Sequence, residues 1–223
     1  MYKNYFKRNF DIGFSLIALI ILSPLLIPVV IILLLTGEHY VFYGQNRIGY
    51  KNQKFKILKF ATMLKNSPNI GTGSITTRND PRVFPFGRFL RKTKLNELPQ
   101  IINILKGDIS LIGPRPLMEV DFKKYSEEIQ NQIYNIKPGL TGIGSVIFRD
   151  EQKLISETTM PLDEFYKQHI SPYKGALELW YQNNLTFSTD FKILFLTAWV
   201  ILFSESKLPQ KMFKNLPVRP EIE

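Results

Sequence analysis

Cysteine is absent from the 223 residues, which excludes a disulfide scaffold and a thiolate metal site. The absence leaves the redox compartment open, with a lean towards the cytoplasm. Histidine occurs only as His39 and His169, and no HExxH or G-x-S-x-G run is present, which argues against zinc hydrolysis and serine-triad chemistry. Walker A is missing, since Gly71-Thr72-Gly73 is too short a match. There is no repeat, low-complexity tract or interdomain linker. Acidic residues are scarce: 19 Asp and Glu face 29 Lys and Arg, a formal charge of +10. The expected partners are therefore anionic, namely nucleic acid, acidic lipid or phosphorylated small molecules. A hydrophobic share of 44% rules out a disordered chain, and the length suits one domain, or one domain plus an anchor.

What is abundant is apolar sequence near the start. Ile12 to Leu35 contains no charge, and as one helix it would reach about 36 Å, enough to span a bilayer. Ser23-Pro24 sits at its middle and Pro28 follows, and each proline removes a helix hydrogen bond. Broken there, each half is too short to cross, so two half-helices would enter and leave on one face. Lys3, Lys7 and Arg8 precede the run and all other cations follow it, so positive-inside logic wants both flanks in the cytoplasm. A re-entrant hairpin satisfies both flanks, with Ser23 bonding a carbonyl freed by the kink. A kinked span satisfies one.

After the run, YVFY and KFKILKF predict a strand hairpin across residues 40 to 60, with Lys59 near a strand end. A short strand at SITT and a turn at Asn79-Asp80-Pro81 lead to a helix from about Pro85 to Leu105, kinked at Pro99 and stopped by Gly107. Residues 117 to 136 read as another helix, with Phe122, Tyr125, Ile129, Ile133 and Ile136 as a core-facing stripe. Lys137 to Gly142 opens a loop and a short strand, GSVIFRD. Further helices are expected at 161 to 183 and 188 to 204. The apolar FKILFLTAWVILF is too short to span, so it is core or lies in the membrane interface with Trp199 at headgroup level.

Chemistry concentrates between Arg78 and Lys94, where Arg78, Arg82, Arg88, Arg91, Lys92 and Lys94 face one acid, Asp80. Such density attracts phosphate. It equally suits a solvated face on an anionic membrane, where each cation contributes about 1 kcal/mol. Gly113-Pro114-Arg115-Pro116 is sharper: two prolines fix the backbone around one arginine, so its guanidinium can grip a phosphate with little ordering cost. Asn96-Glu97 follows the basic run. Glu97 could hold Mg²⁺ or take a proton. On spacing alone a helix-surface pair with Lys94 or Arg91 is the plainer reading, and Asp108 is equally divided between chemistry and a turn. Phe84, Phe86 and Phe89 stand at helical spacing and read as core rather than as stacking platforms, so nucleic acid is not expected as a partner.

Together these residues form a recognisable pattern: the apolar hairpin with Ser-Pro, KFATM, NDPR, GRFLRKTKLNELPQIINILKGDISLIGPRP, KPGLTG and LTFSTDFKILFLTAW. The chain resembles the bacterial sugar transferases, the monotopic polyprenol-phosphate phosphoglycosyl transferases of the small single-domain type. The resemblance covers nearly the whole chain. It implies an α+β, mostly helical fold, with a re-entrant membrane anchor over 1–36 and a cytoplasmic domain over 37–223 that carries a small sheet and interfacial helices. It implies transfer of a sugar phosphate from a UDP-sugar to undecaprenyl phosphate with Mg²⁺ and release of UMP, at the cytoplasmic face of the bacterial inner membrane. That step opens a glycan pathway for capsule, exopolysaccharide or lipopolysaccharide, with downstream glycosyltransferases as possible partners. By the same resemblance Ser23 and Pro24 are the membrane break, Asn96 and Glu97 the catalytic pair with Glu97 on the metal, and Lys59, Arg88, Arg91 and Arg115 contact substrate phosphate; Arg78 and Arg82 of the basic run, and Arg149, are further candidates for phosphate contact.

Three positions depart from the family pattern. Asn96 stands where a nucleophilic Asp is usual, Ala61 where an arginine is usual, and GIGSVIFRDEQ lacks the common tryptophan. A carboxamide is a poor nucleophile. Three outcomes stay open for Asn96: Glu97 acts as the nucleophile, the lipid phosphate attacks directly in line, or the chain is a catalytically silent membrane protein that binds nucleotide-sugar or polyprenyl phosphate as a scaffold.

Overall fold

The computed structural model of the protein describes residues 2, 6–70, 80–149, 151, 158–203, 206–213 and 215–219. Helices dominate, and two small two-stranded sheets accompany them. The expected strand at SITT and the Asn79 end of the turn lie outside the described residues.

The apolar run forms one helix, α1 (Lys7–Leu35), with Pro24 and Pro28 inside it. Two separate half-helices were expected; helical geometry instead continues through the prolines. The Ser23 hydroxyl donates to the Ile20 carbonyl at 2.8 Å, the acceptor that Pro24, lacking N–H, leaves unbonded. By length and composition α1 could cross a membrane. Yet both of its ends pack on the rest of the chain. At the start, Lys7 Nζ donates to the Ile112 carbonyl at 2.9 Å and pairs with Asp190 at 2.6 Å, and Arg8 donates to the carbonyls of Ile104 and Leu105. Asp11 accepts from the Ser110 hydroxyl and the Leu111 N–H. At the other end Val29 and Leu33 are buried with Phe60 and Leu90. Between them Leu16, Ile17, Ile20, Ile21 and Leu25 are exposed.

The hairpin forms as β1 (Phe42–Ile48) and β2 (Lys54–Phe60), antiparallel, with Tyr43 opposite Lys59. β1 reaches further than YVFY suggested. Lys51 and Asn52 adopt positive φ and confine the turn to a few residues. The single helix expected over Pro85–Leu105 is instead α2 (Pro85–Lys92), a 3₁₀ turn at Leu95–Glu97 and α3 (Gln100–Lys106). The break comes at Lys94, in the left-handed region at φ 62°, five residues before Pro99. Gly107 ends α3 at φ 88°, its N–H returning to Asn103 and Ile104.

β3 (Ser110–Ile112) pairs in parallel with β4 (Gly139–Thr141). Between them lie α4 (Glu119–Phe122) and α5 (Glu127–Gln132), two short helices where one was expected. Their apolar stripe is core, as anticipated: Phe122, Tyr125, Ile133 and Ile136 are buried. The strand expected at GSVIFRD falls earlier, on Gly139–Thr141, and Ile143–Ile147 is helix α6. Then come α7 (Leu162–Phe165), a π turn at Tyr166–Ile170, α8 (Ser171–Asn183), α9 (Phe187–Leu202) and α10 (Leu208–Met212). The main core gathers Ile104, Ile109, Ile112, Ile143, Leu177 and Ile193. α9 belongs to it on one face only. Ile193, Leu196 and Val200 are buried, whereas Phe187, Phe191, Phe195 and, just after the helix, Phe203 are exposed.

Candidate active site

The break at Lys94 turns Asn96 and Glu97 into the crook between α2 and α3, facing the end of β2. Asn103 fixes that relation. Its carboxamide donates to the Lys56 carbonyl at 2.9 Å and accepts from the Leu58 N–H at 2.8 Å, clipping α3 to β2 one residue before Lys59. Lys59 Nζ then lies 3.3 Å from Glu97 Oε1.

Arg115 arrives from the opposite side. It is the one exposed residue in the otherwise buried run Ile109–Leu117. Its frame is rigid: Gly113 N–H donates to the Thr141 carbonyl, Gly139 N–H to the Pro114 carbonyl, and the Tyr134 hydroxyl to the Arg115 carbonyl at 2.8 Å. The guanidinium comes within 3.9 Å of Glu97 Oε1. Arg47, on β1, donates to the Pro116 carbonyl at 3.4 Å and leaves its Nε buried without a partner.

Arg47, Lys59 and Arg115 line a small cleft, open to solvent, together with Ile57, Gln100, Pro116, Gly139 and Leu140. Lys59 and Arg115 both face the single carboxylate of Glu97, while Arg47 feels Asp121 and then Glu97. Burial alone would raise the Glu97 carboxyl, but Lys59 and Arg115, with Lys94, outweigh it and hold the group below the usual range. Burial pushes Lys59 down despite Glu97, and Arg47 and Arg115 add to that depression. Arg47 is lowered too, by burial first and then by Arg115. Cations that depress one another when nothing anionic is bound form a site that gains from binding an anion.

Asn96 is 9% exposed, and its Oδ1 has no hydrogen-bond partner. Among the described residues no three His, Cys, Asp or Glu side chains group as a metal cage. The oxygen donors here are the Glu97 carboxylate and the orphaned Asn96 Oδ1. This set fits Mg²⁺ of the kind held by one carboxylate and completed by substrate phosphate, and would not hold it alone.

The other expected site residues disperse. Arg91 approaches from α2, its guanidinium 3.3 Å from Thr62 Oγ1. Burial lowers it, while Asp80 and Glu97 act in the opposite sense. Gly87 permits this approach, since a Cβ there would meet the Thr62 backbone. Arg88 is exposed on α2. Arg82 is 4% exposed, forked onto Asp80 and donating to the Ser67 and Ile70 carbonyls, which makes it a loop clamp. Arg149 follows α6 and donates to the Val200 carbonyl; the structure does not bring it into the cleft. Arg78 lies outside the described residues. Sequence reasoning missed Arg47. It stands in a turn-like stretch, and only the antiparallel pairing that sets Arg47 opposite Phe55 and Tyr43 opposite Lys59 puts it on the sheet face it shares with Lys59.

The family model described as bacterial sugar transferase matches residues 2–204. The chain is 34% identical over 214 residues to undecaprenyl-phosphate galactose phosphotransferase of Salmonella typhimurium, covering 90% of this chain and 41% of that protein. It is 32% identical to UDP-galactose-lipid carrier transferase of Erwinia amylovora, with the same shares covered. It is 36% identical over 179 residues to exopolysaccharide production protein ExoY of Sinorhizobium fredii, covering 74% of this chain and 78% of that protein. The chain thus spans about two fifths of the length of the first two relatives.

Proposed function

The chain belongs to the bacterial sugar transferase family, and on that premise we propose that it transfers a sugar phosphate from a UDP-sugar to undecaprenyl phosphate, releasing UMP. The observation that carries this reading is the cleft lined by Arg47, Lys59 and Arg115, two of which also face the Glu97 carboxylate. A diphosphate is the anion such a set suits, and the frame around Arg115 lowers the entropy cost of gripping it.

In the net reaction an oxygen of the lipid phosphate forms a bond to the phosphorus that carries the sugar. The bridging P–O bond to the nucleotide breaks, and UMP leaves with the bridging oxygen. We assign the attack to the lipid phosphate directly, because the Asn96 carboxamide offers no anionic oxygen and Glu97 is engaged by Lys59 and Arg115. Lys59 and Arg115 meet charge as it builds on the transferring group. Glu97 holds both cations in place, and with Asn96 Oδ1 would hold Mg²⁺, which when bound neutralises diphosphate charge.

The membrane reading is a re-entrant anchor at the cytoplasmic face of the inner membrane. What supports it is that Lys7, Arg8 and Asp11 at one end of α1, and Val29 and Leu33 at the other, pack on the same body, with an exposed apolar middle between them. α9 suits the interface. Its aromatic stripe is continuous with α1 through Phe10 against Phe187, ring centroids 5.7 Å apart.

The test is UMP release by the detergent-solubilised protein with undecaprenyl phosphate, Mg²⁺ and a panel of UDP-sugars. Turnover is expected for the native chain, with a loss of at least a hundredfold in Glu97→Gln and in Arg115→Ala. Absence of turnover with every donor, regained in Asn96→Asp, would replace this reading by the silent scaffold.

A further inference from the structure

Two carboxamides stand three residues apart on one face of α3, and their surroundings differ. Asn103 is 1% exposed and engaged at both ends: it accepts from the Leu58 N–H at 2.8 Å and donates to the Lys56 carbonyl and to Asp108 Oδ2, each at 2.9 Å. Gln100, one turn nearer the crook that holds Glu97, is 5% exposed, and among the described residues its carboxamide has no hydrogen-bond partner. Nor is it shut inside the core, because Gln100 lines the cleft with Arg47, Lys59 and Arg115. Buried polar groups are as a rule paired, and one left unpaired is destabilising. An apolar side chain of the same length would fill this place without that penalty. Stability therefore gives no reason for a carboxamide here, and a ligand in the cleft does.

We infer that Gln100 is a substrate-binding residue whose Nε2 donates a hydrogen bond to a non-bridging oxygen of the donor's diphosphate. An ionised phosphate offers only acceptors, and Arg47, Lys59 and Arg115 offer only donors. Gln100 is the one neutral side chain of the lining that can join them, since apolar side chains and a glycine make up the rest. Its neutrality has a physical reason. Burial already lowers Lys59, and Arg47 and Arg115 lower it further, so another cation would add to a repulsion that the empty cleft must bear. A carboxamide adds a donor and no charge. Its place is also fixed in advance: the Leu98 and Pro99 carbonyls accept from the N–H groups of Ile101 and Ile102, and Asn103 ties the same face of α3 to β2. Little order is left to impose when the anion arrives.

The inference rests on reading the cleft as a diphosphate site, so the experiment separates the two. Inorganic pyrophosphate is titrated calorimetrically at pH 8 into the full-length protein in detergent, for the native chain, Arg115→Ala, Gln100→Met and Gln100→Glu, with Tm measured for each without pyrophosphate. Gln100→Met keeps the length and loses both polar atoms. It is expected to melt no lower than the native chain yet to bind about tenfold more weakly, the worth of one hydrogen bond to a charged group. Gln100→Glu keeps the shape and sets a negative charge among the cations, so it should melt at or above the native temperature and bind at least a hundredfold more weakly. A residue that only packs the start of α3 would give the reverse, a lower Tm with unchanged affinity. Native-like pyrophosphate binding by Gln100→Met overturns the inference, even if KM for the UDP-sugar rises, because the contact then belongs to the sugar or the base. Native-like binding by Arg115→Ala overturns the diphosphate reading instead. If Gln100→Met gives no folding transition, Gln100→Asn, which withdraws the carboxamide by one methylene, replaces it: weakened binding supports the inference and unchanged binding overturns it.

Discussion

At the scale of single residues, two carboxyls sit in opposite environments. Glu97 is held ionised by surrounding cations, whereas Glu178 is pushed up to about 8 by burial, which Lys174 and the facing backbone N–H groups only partly offset. A folded-state value above the ordinary 4.5 means that the folded protein binds this proton more tightly. Stability from Glu178 is therefore present below about pH 4.5 and is lost as pH rises to about 8, by up to a few kcal/mol. The phenols of Tyr125 and Tyr134 near it are raised by burial and do not titrate in this window. Urea unfolding at pH 5.5 and 8.5 checks this: the native chain should lose stability relative to Glu178→Gln at the higher pH, and parallel pH dependences would count against it. Of the residues that matter here, Arg115 was legible in the sequence because two prolines frame it. Arg47 and Asn103 were not, because the Pro116 carbonyl that Arg47 meets and the Lys56 carbonyl that Asn103 meets lie 69 and 47 positions away, and no spacing rule connects them.

At the scale of elements, the informative failure is the stretch from Pro85 to Leu105. Its residues have helical periodicity, and a single helix was the natural reading, but Lys94 takes a left-handed conformation and splits it. The split is what lets Glu97 face Lys59 rather than Lys94 or Arg91. Holding a lysine there costs about 1–2 kcal/mol. Lys94→Gly should therefore be neutral or raise the unfolding free energy by about 1 kcal/mol, while Lys94→Val should lower it by more than 1 kcal/mol. Equal denaturation midpoints for the two variants would argue that the turn is not strained. Similarly, GSVIFRD has the branched residues of a strand, yet β3 finds its parallel partner at Gly139–Thr141, where glycine lets the two backbones approach. Propensity yielded to pairing.

At the scale of the molecule, both ends of α1 pack on the rest of the chain. Lys7 and Asp190 make a buried pair at 2.6 Å, with Tyr181 donating to the same carboxylate. Lys7→Met leaves that carboxylate without its cation and should cost about 3–5 kcal/mol, seen as a fall in Tm. The lack of native cysteine gives a clean test of the anchor. Single cysteines placed at Tyr2 and at Gly37 should both resist a membrane-impermeant maleimide in intact cells and both react after lysis. Labelling of one in intact cells would mean that α1 crosses the membrane.

The sequence alone determined the long apolar run, the excess of cations, the arginine between prolines and the family pattern, because each is written in residues close together along the chain. The tertiary structure decided which cations share a cleft, that Arg82 is a loop clamp while Arg47 lines the site, and that both ends of α1 return to one body. These depend on pairings between distant segments, and the free energy that selects them comes from burying surfaces together, which no local window contains.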